Sequence, residues 1–497
     1  MLAATLREAA RRFADVPAAV TEDGWALTYR DLDRISDEVA AGLTRRGLRS
    51  GDVLALVLPP GAEYLLSYLA AAKVGAITAG VNDRFTGPER ATVLERAQPR
   101  LVLTEPGVAV ADFDRVELAP AAGADDVHTA LRAAEPIPRA VPDDPDRPVA
   151  IVFTSGTTGI PKGALYGNRQ LAFITATDVG EAWGGGTRSF SGTSFAHLGF
   201  MTKLPGNLRR GGTSFILRRW SAHTALTLLA EQRMTTVAGV PTQLALMLRQ
   251  PDFDAFDLES VRFIVAGGGP ITPGLAEEAR ARFGAALATR YSCTEAGIGL
   301  GTAFDDPDED AVVSVGRPHP AVDLAILDED DQAVPAGDVG AVCLRSPAVM
   351  TAYWRDPDAT RAAFTADGFV RTGDLGWLDE RGRLRLVGRT KEMYVRGGYN
   401  VYPVEVEASL STHPEVTAVA VVARPDPVMG EVGIAVVVPR HPARPPTLEQ
   451  LRAHGASRLA RYKLPEELRV VEALPLTAMD KVDRRALARH VGQLEAG

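Results

Sequence analysis

From residue 27 onward the chain switches between two hydrophobic periods. Leu32, Ile35, Val39 and Leu43 recur at helical spacing, and Gly47 and Gly51 then punctuate before the apolar run 53–58. Residues 63–74 read as a further helix and 76–81 as a second short apolar strand. Strand patterns return at 100–103, 149–153, 213–217, 235–240 and 262–266, with helical stretches between them. Short buried strands alternating with helices predict a layered α/β body with parallel strands. The first 17 residues carry Arg7, Glu8, Arg11 and Arg12 in place of a continuous apolar core, which predicts an amphipathic helix and not a secretory signal. The Pro- and Asp-rich stretch 135–148 reads as a surface linker.

The texture changes after about residue 310. Short strands at 322–327, 339–344, 369–371, 376–378 and 384–387 are separated by Asp/Gly turns, a pattern that predicts antiparallel pairing. Beyond Gly388 a helix at 403–410, strands at 416–423 and 433–438 and a helix over 447–461 suffice for a small α+β unit. The expected fold class is therefore α/β. A large multi-lobed N-terminal domain at 1–389 has layered α/β sheets and a β-rich lobe, and a small α+β C-terminal domain occupies 390–497.

Composition narrows the function. Acidic residues number 63 against 54 basic ones, a formal net charge of -9, which gives no electrostatic reason to bind nucleic acid. Two cysteines, Cys293 and Cys343, can neither staple the chain nor build a four-thiolate metal site, and they suit a reducing compartment. The longest apolar region, 53–81, is broken by Pro59, Pro60, Glu63 and Lys73, so no membrane span is expected and the expected location is cytoplasmic. Only six basic residues are lysine: Lys73, Lys162, Lys203, Lys391, Lys463 and Lys481. The other 48 are arginine, and a compact ammonium is not interchangeable with a planar fork. These six positions invite a search for anion chemistry, with chance survival under a codon bias as the plainer account.

The sharpest local feature is FTSGTTGIPKG at 153–163, directly after the apolar strand AIVF. Glycines permit positive φ, so successive N–H groups can converge on an anion, and hydroxyls donate further hydrogen bonds. No Walker A spacing occurs. The alternative, a flexible linker, does not account for Pro161-Lys162-Gly163 or for the buried strand before it.

The loop resembles the core phosphate motif of the AMP-forming adenylating superfamily, which includes acyl-CoA synthetases, nonribosomal adenylation domains and firefly luciferase. Companion motifs follow in order. Gly267-Gly268-Gly269-Pro270 resembles the turn against adenine and the acyl pocket, and Tyr291-Ser-Cys-Thr-Glu295 resembles Y-G-x-T-E with Ser292 in place of glycine. Arg371-Thr-Gly-Asp374 and Gly388-Arg389 resemble the ribose-binding and hinge segments, and Tyr462-Lys463-Leu464-Pro465 resembles Y-K-x-P. Leu474-Pro-Leu-Thr-Ala-Met-Asp480-Lys481 resembles L-P-x-T-x-x-G-K, with Asp480 in place of the usual glycine.

The resemblance implies a site. Thr154, Ser155, Gly156, Thr157, Thr158, Gly159 and Lys162 would bind ATP phosphates, with Gly267, Gly268, Gly269, Tyr291, Asp374 and Arg389 on the nucleoside. Thr294 would contact the α-phosphate, Glu295 would hold Mg²⁺, and Lys481 would be the catalytic lysine. Lys391 would be the hinge of a mobile C-terminal domain, and Gly397, Gly398 and Tyr399 would face the incoming thiol. His197, in the segment 194–203, matches the histidine of acyl- and aryl-acid ligases, although a satisfied core histidine is the plainer account. Phe195, His197, Phe200, Val240, Gly267 and Ile298 would line the acid pocket. Lys203 reads as an exposed lysine or as a partner for a polar group of the acid. Cys293, at a variable position, reads as structural in preference to a nucleophile.

The implied reaction is ATP-dependent activation of a small-molecule carboxylic acid, with a hydrophobic fatty or aryl acid expected. Pyrophosphate leaves, and the acyl group then passes to a thiol with release of AMP. The expected acceptor is coenzyme A, with the phosphopantetheine of an acyl carrier protein as the alternative. An unusual acid of secondary metabolism and an inactive adenylate-binding protein are the remaining alternatives.

Overall fold

The computed structural model describes residues 1–135, 141–154, 161–390, 392–478 and 480–493. Among them, five sheets carry the architecture. The first has six strands, in the spatial order Arg115–Glu117, Leu101–Thr104, Val53–Val57, Ile77–Gly80, Pro148–Phe153 and Gly163–Gly167. All its pairs are parallel except the last. Val53–Val57 and Ile77–Gly80 are buried at every position, as strands covered on both faces must be.

The second sheet sets Thr236–Gly239, Phe263–Gly267 and Ala286–Tyr291 in parallel, then adds two short antiparallel strands. A mixed four-stranded sheet joins Pro17–Val20 to Thr213–Ile216 and Arg188–Ser191. The antiparallel sheet expected after residue 310 runs Asp323–Leu327, Gly340–Arg345, Val370–Leu378, Leu384–Arg389. Its third strand replaces the two short strands expected at 369–371 and 376–378. The Gly373 turn conformation (φ +77°) and a register shift between Leu375 and Gly376 bend the strand without breaking it.

The C-terminal sheet is built on the long hairpin Val416–Asp426 and Gly430–Pro439, flanked by the helix Pro403–Leu410. The helix expected over 447–461 is only Leu448–Gly455, followed by a 3₁₀ turn at Arg461–Lys463. Gly455 lies where a Cβ would stand 2.8 Å from the Leu464 side chain, so close packing requires the residue that also weakens the helix. No helix among the described residues is long and apolar enough to cross a membrane.

Candidate active site

Strand ends deliver the site. In the second sheet, Thr236–Gly239 leads into Val240, Phe263–Gly267 into Gly268 and Gly269, and Ala286–Tyr291 into Thr294 and Glu295. In the first sheet, Pro148–Phe153 leads into the phosphate loop. Ligands of open α/β sheets bind beyond the carboxyl ends of parallel strands, and here two sheets present those ends. The base of the phosphate loop is closed by Thr154 N–H donating to the Lys162 carbonyl at 2.9 Å. Ser155, Gly156, Thr157, Thr158 and Gly159 lie outside the described residues, as does Lys391.

The segment 351–354 runs beside Gly163–Gly167, with Thr351 N–H on the Leu165 carbonyl and Trp354 N–H on the Gly163 carbonyl. This places Tyr353, a residue that no motif singled out. Its hydroxyl donates to Glu295 Oε1 at 2.7 Å, and the Lys162 ammonium lies 4.9 Å from its ring centroid. Tyr353 thus brings the phosphate-loop lysine and the expected metal carboxylate into one neighbourhood. Tyr166 donates to the Thr294 carbonyl at 2.6 Å and holds that turn from below.

Among the described residues no three His, Cys, Asp or Glu side chains form a ready-made metal cage. Glu295, joined through Tyr353 to the neighbourhood of Lys162, offers the single hard carboxylate that would suit Mg²⁺.

Asp374 and Arg389 are directly opposed across the hairpin, so the fifteen-residue spacing is a register position. Asp374 Oδ1 accepts from Arg389 Nε at 2.9 Å and Oδ2 from the Tyr291 hydroxyl at 2.7 Å. Each oxygen keeps a lone pair free for a further hydroxyl. Burial first, then the Asp374 charge, pushes the Tyr291 phenol far above its ordinary range, so it remains a donor.

Lys481 closes this site from the C-terminal unit. A Cβ on Gly268 would lie 3.8 Å from Lys481 Cε, so the glycine's bare backbone faces the lysine stem. The ammonium forms no ion pair among the described residues. Burial and then Arg389 lower its pKa, against Asp374, which raises it. His197 is also nearby. Burial and then Lys481 bring its pKa down to about 4, so it is neutral at pH 7. Its Nδ1 accepts from Gly199 N–H at 3.3 Å, which leaves the ring proton on Nε2 as a donor.

Val240 is buried against the glycine turn, with its Cγ1 3.3 Å from where a Cβ on Gly268 would stand, and Ile298 is buried in the main core. Phe195 and Phe200 stack at 3.6 Å and pack edge-on to Tyr64, so this aromatic group belongs to the core beneath the first sheet. Lys203 is half-exposed and pairs with Asp178 at 3.4 Å. The Cys293 thiol is buried. Desolvation, Glu295 and Asp374 push its pKa well up, which keeps it protonated and removes it as a nucleophile.

On the C-terminal unit, Gly397 and Gly398 both have positive φ, +56° and +85°, and join Tyr394–Arg396 to Tyr399–Val401 in a tight hairpin. Tyr399 is 59% exposed and stacks on Tyr462 at 4.6 Å.

These features gather the expected nucleotide residues of the large body beside Lys481 of the C-terminal segment. The family model described as AMP-binding enzyme matches residues 6–354, and that of the AMP-binding enzyme C-terminal domain matches 405–481. The chain belongs to the AMP-binding enzyme family. It is 33% identical to the fatty acid–[acyl-carrier-protein] ligase ScoC of Streptomyces coeruleorubidus, over 94% of this chain and 92% of that one. It is also 33% identical to the indoleacetate–CoA ligase of Aromatoleum aromaticum, over 92% and 91% of the two chains. Among solved structures, ATP-bound MatB from Rhodopseudomonas palustris superposes with a TM-score of 0.87 at 28% identity, covering 99% of this chain and 100% of that one.

Proposed function

We propose that this protein is an acid–thiol ligase that makes an acyl-adenylate and then a thioester. A carboxylate oxygen attacks the α-phosphorus of ATP, the bond to the β-phosphate breaks, and pyrophosphate leaves. A thiol then attacks the acyl carbon and AMP leaves. Two anions must meet in the first step, so neutralisation and alignment dominate.

Asp374 takes the ribose hydroxyls with Arg389 beside it, and Gly267, Gly268, Gly269 and Tyr291 border the nucleoside. Thr154 and Lys162 serve the phosphates, and Thr294 the α-phosphate. Glu295 would hold Mg²⁺, whose chemistry is to shield phosphate charge. Lys481 bridges the carboxylate and the α-phosphate. The acid lies toward His197, Val240, Gly267 and Ile298, a lining that suits a hydrophobic fatty or aryl acid. In the second step the C-terminal domain, from about residue 390, turns away with Lys481 and presents Gly397, Gly398 and Tyr399 to coenzyme A.

The observation that carries this reading is the desolvated Lys481 ammonium, without an ion pair among the described residues, set against Gly268 and the Asp374–Arg389 pair. A pyrophosphate-release screen across fatty and aryl acids, with and without coenzyme A, tests it. Acid-dependent release and coenzyme A-dependent AMP formation are expected. ATP binding with no acid-dependent release from any acid would overturn it in favour of an adenylate-binding protein. The likeness to a carrier-protein ligase favours a second reading, phosphopantetheine as acceptor. Adenylation that coenzyme A cannot discharge but a loaded carrier can would select it.

A further inference from the structure

Asp480 stands at the position that reads as glycine in the family motif, and the turn shows why glycine suits it. Thr477 N–H donates to the Lys481 carbonyl at 2.7 Å, Asp480 N–H donates to the Thr477 carbonyl at 3.0 Å, and Leu476 bridges Val482. Asp480 has φ +56°, in the left-handed region that glycine enters freely and aspartate enters at some cost. The side chain does not pair with Lys481, its neighbour. Oδ1 accepts from Arg84 Nη1 at 2.8 Å, and Oδ2 accepts from Gln243 Nε2 at 3.4 Å.

Arg84 follows the strand Ile77–Gly80 of the first sheet, and its N–H is fixed by Asn82 Oδ1 at 2.9 Å. Gln243 is buried in the first turn of Pro241–Leu248, where it also donates to the Gly192 carbonyl and accepts from Val240 N–H. One carboxylate beside the chemistry lysine is therefore gripped by two lobes of the large body.

We propose that Asp480 is a positioning residue, a carboxylate clasp to Arg84 and Gln243 that holds Lys481 in the adenylating arrangement and must open before thiol transfer. The role rests on the two-step reaction proposed above. The clasp adds to the dwell time of the first arrangement and is spent when the C-terminal unit leaves. Because Arg84 is partly exposed, the clasp weakens with salt.

The test compares wild type with Asp480→Asn, which keeps tolerance for positive φ, with Arg84→Met, and with the double variant. Pyrophosphate formation and thioester formation from synthetic acyl-adenylate are measured separately. Each single variant is expected to slow the first roughly tenfold, the scale of one lost charge-assisted hydrogen bond, while leaving the second unchanged or faster. The double variant is expected to be no slower than either single. Raising salt is expected to narrow the gap between wild type and variants.

Equal loss in both half-reactions, or losses that multiply in the double variant, would overturn the proposal. If wild type makes no adenylate from any acid, the activity reading fails, and hydrogen exchange at the amides of Thr477, Asp480 and Lys481 still decides the clasp. Faster exchange there in Arg84→Met supports it, and unchanged exchange overturns it.

Discussion

Lys73, on the helix Ala62–Val74, donates to the Asp33 carbonyl and Oδ1, each at 2.7 Å, and pairs with Asp37 Oδ1 at 2.8 Å. All three ammonium protons are used, and the side chain is 1% exposed. Lys481 is also partly buried, but it has Arg389 as neighbour and forms no ion pair among the described residues. The first lysine has its counter-charge built in and joins two helices. The second is held short of one, at a cost in desolvation, and under the proposed reaction an anionic ligand would supply it. Buried cations without protein partners mark sites where a ligand is expected.

The comparison breaks most visibly at Lys481→Ala. Adenylation is expected to fall about 10²- to 10³-fold, the scale of losing one oriented electrostatic donor, with thioester formation from synthetic acyl-adenylate spared. Its melting temperature should not drop, because no protein partner is stranded. Equal loss in both half-reactions would remove Lys481 from its proposed role.

Lys73→Met should do the reverse. Removing the cation leaves Asp33 and Asp37 facing each other, and a loss of about 2 kcal/mol in denaturant unfolding is expected, discounted because both carboxylates are partly exposed. Turnover per folded molecule should stay at the wild-type level.

A smaller effect sharpens the contrast. Asp374→Asn removes the acidic group that supports the Lys481 charge and weakens the ribose contact, so KM for ATP should rise about tenfold. The smallest effect is in the pH profile. A lysine of lowered pKa loses its proton sooner as pH rises, so adenylation from free enzyme should decline below the ordinary lysine range. Asp374→Asn should move that decline lower still, and thiol transfer from synthetic acyl-adenylate should lack it.

What could be read from the chain follows from distance along it. The phosphate loop, the Asp374–Arg389 spacing and the Pro403–Leu410 helix depend on neighbours within a few turns or one hairpin, and periodicity or motif spacing registers them. Family membership was legible for the same reason. Tyr353 on Glu295, 58 residues apart, and Arg84 on Asp480, 396 apart, leave no local period. Lys73 stood unexplained in the sequence because its partners lie on another helix, 36 and 40 positions upstream, and only packing of the two helices joins them. The Gly163–Gly167 strand leaves no pattern in the sequence, because the glycines at both ends interrupt it and only pairing with Pro148–Phe153 defines it.

The turn at Asp379–Gly382 lies at the far end of the hairpin from the Asp374–Arg389 pair. Asp379 takes backbone N–H bonds from Arg381 and Arg383 and the side chains of Arg383 and Arg385, while Arg383 and Arg381 also pair with buried Asp310. These bonds hold the Asp379 pKa down to about 2, so the turn keeps its charges through mild acid. A sheet counts in twos, and the register shift between Leu375 and Gly376 lies between this turn and the pair, so turn length and shift together set Arg389 opposite Asp374. The surface turn therefore acts as the zero mark of a ruler. Its length, together with that shift, sets the Asp374–Arg389 register, and loop-length changes there should part the pair as surely as substituting either residue.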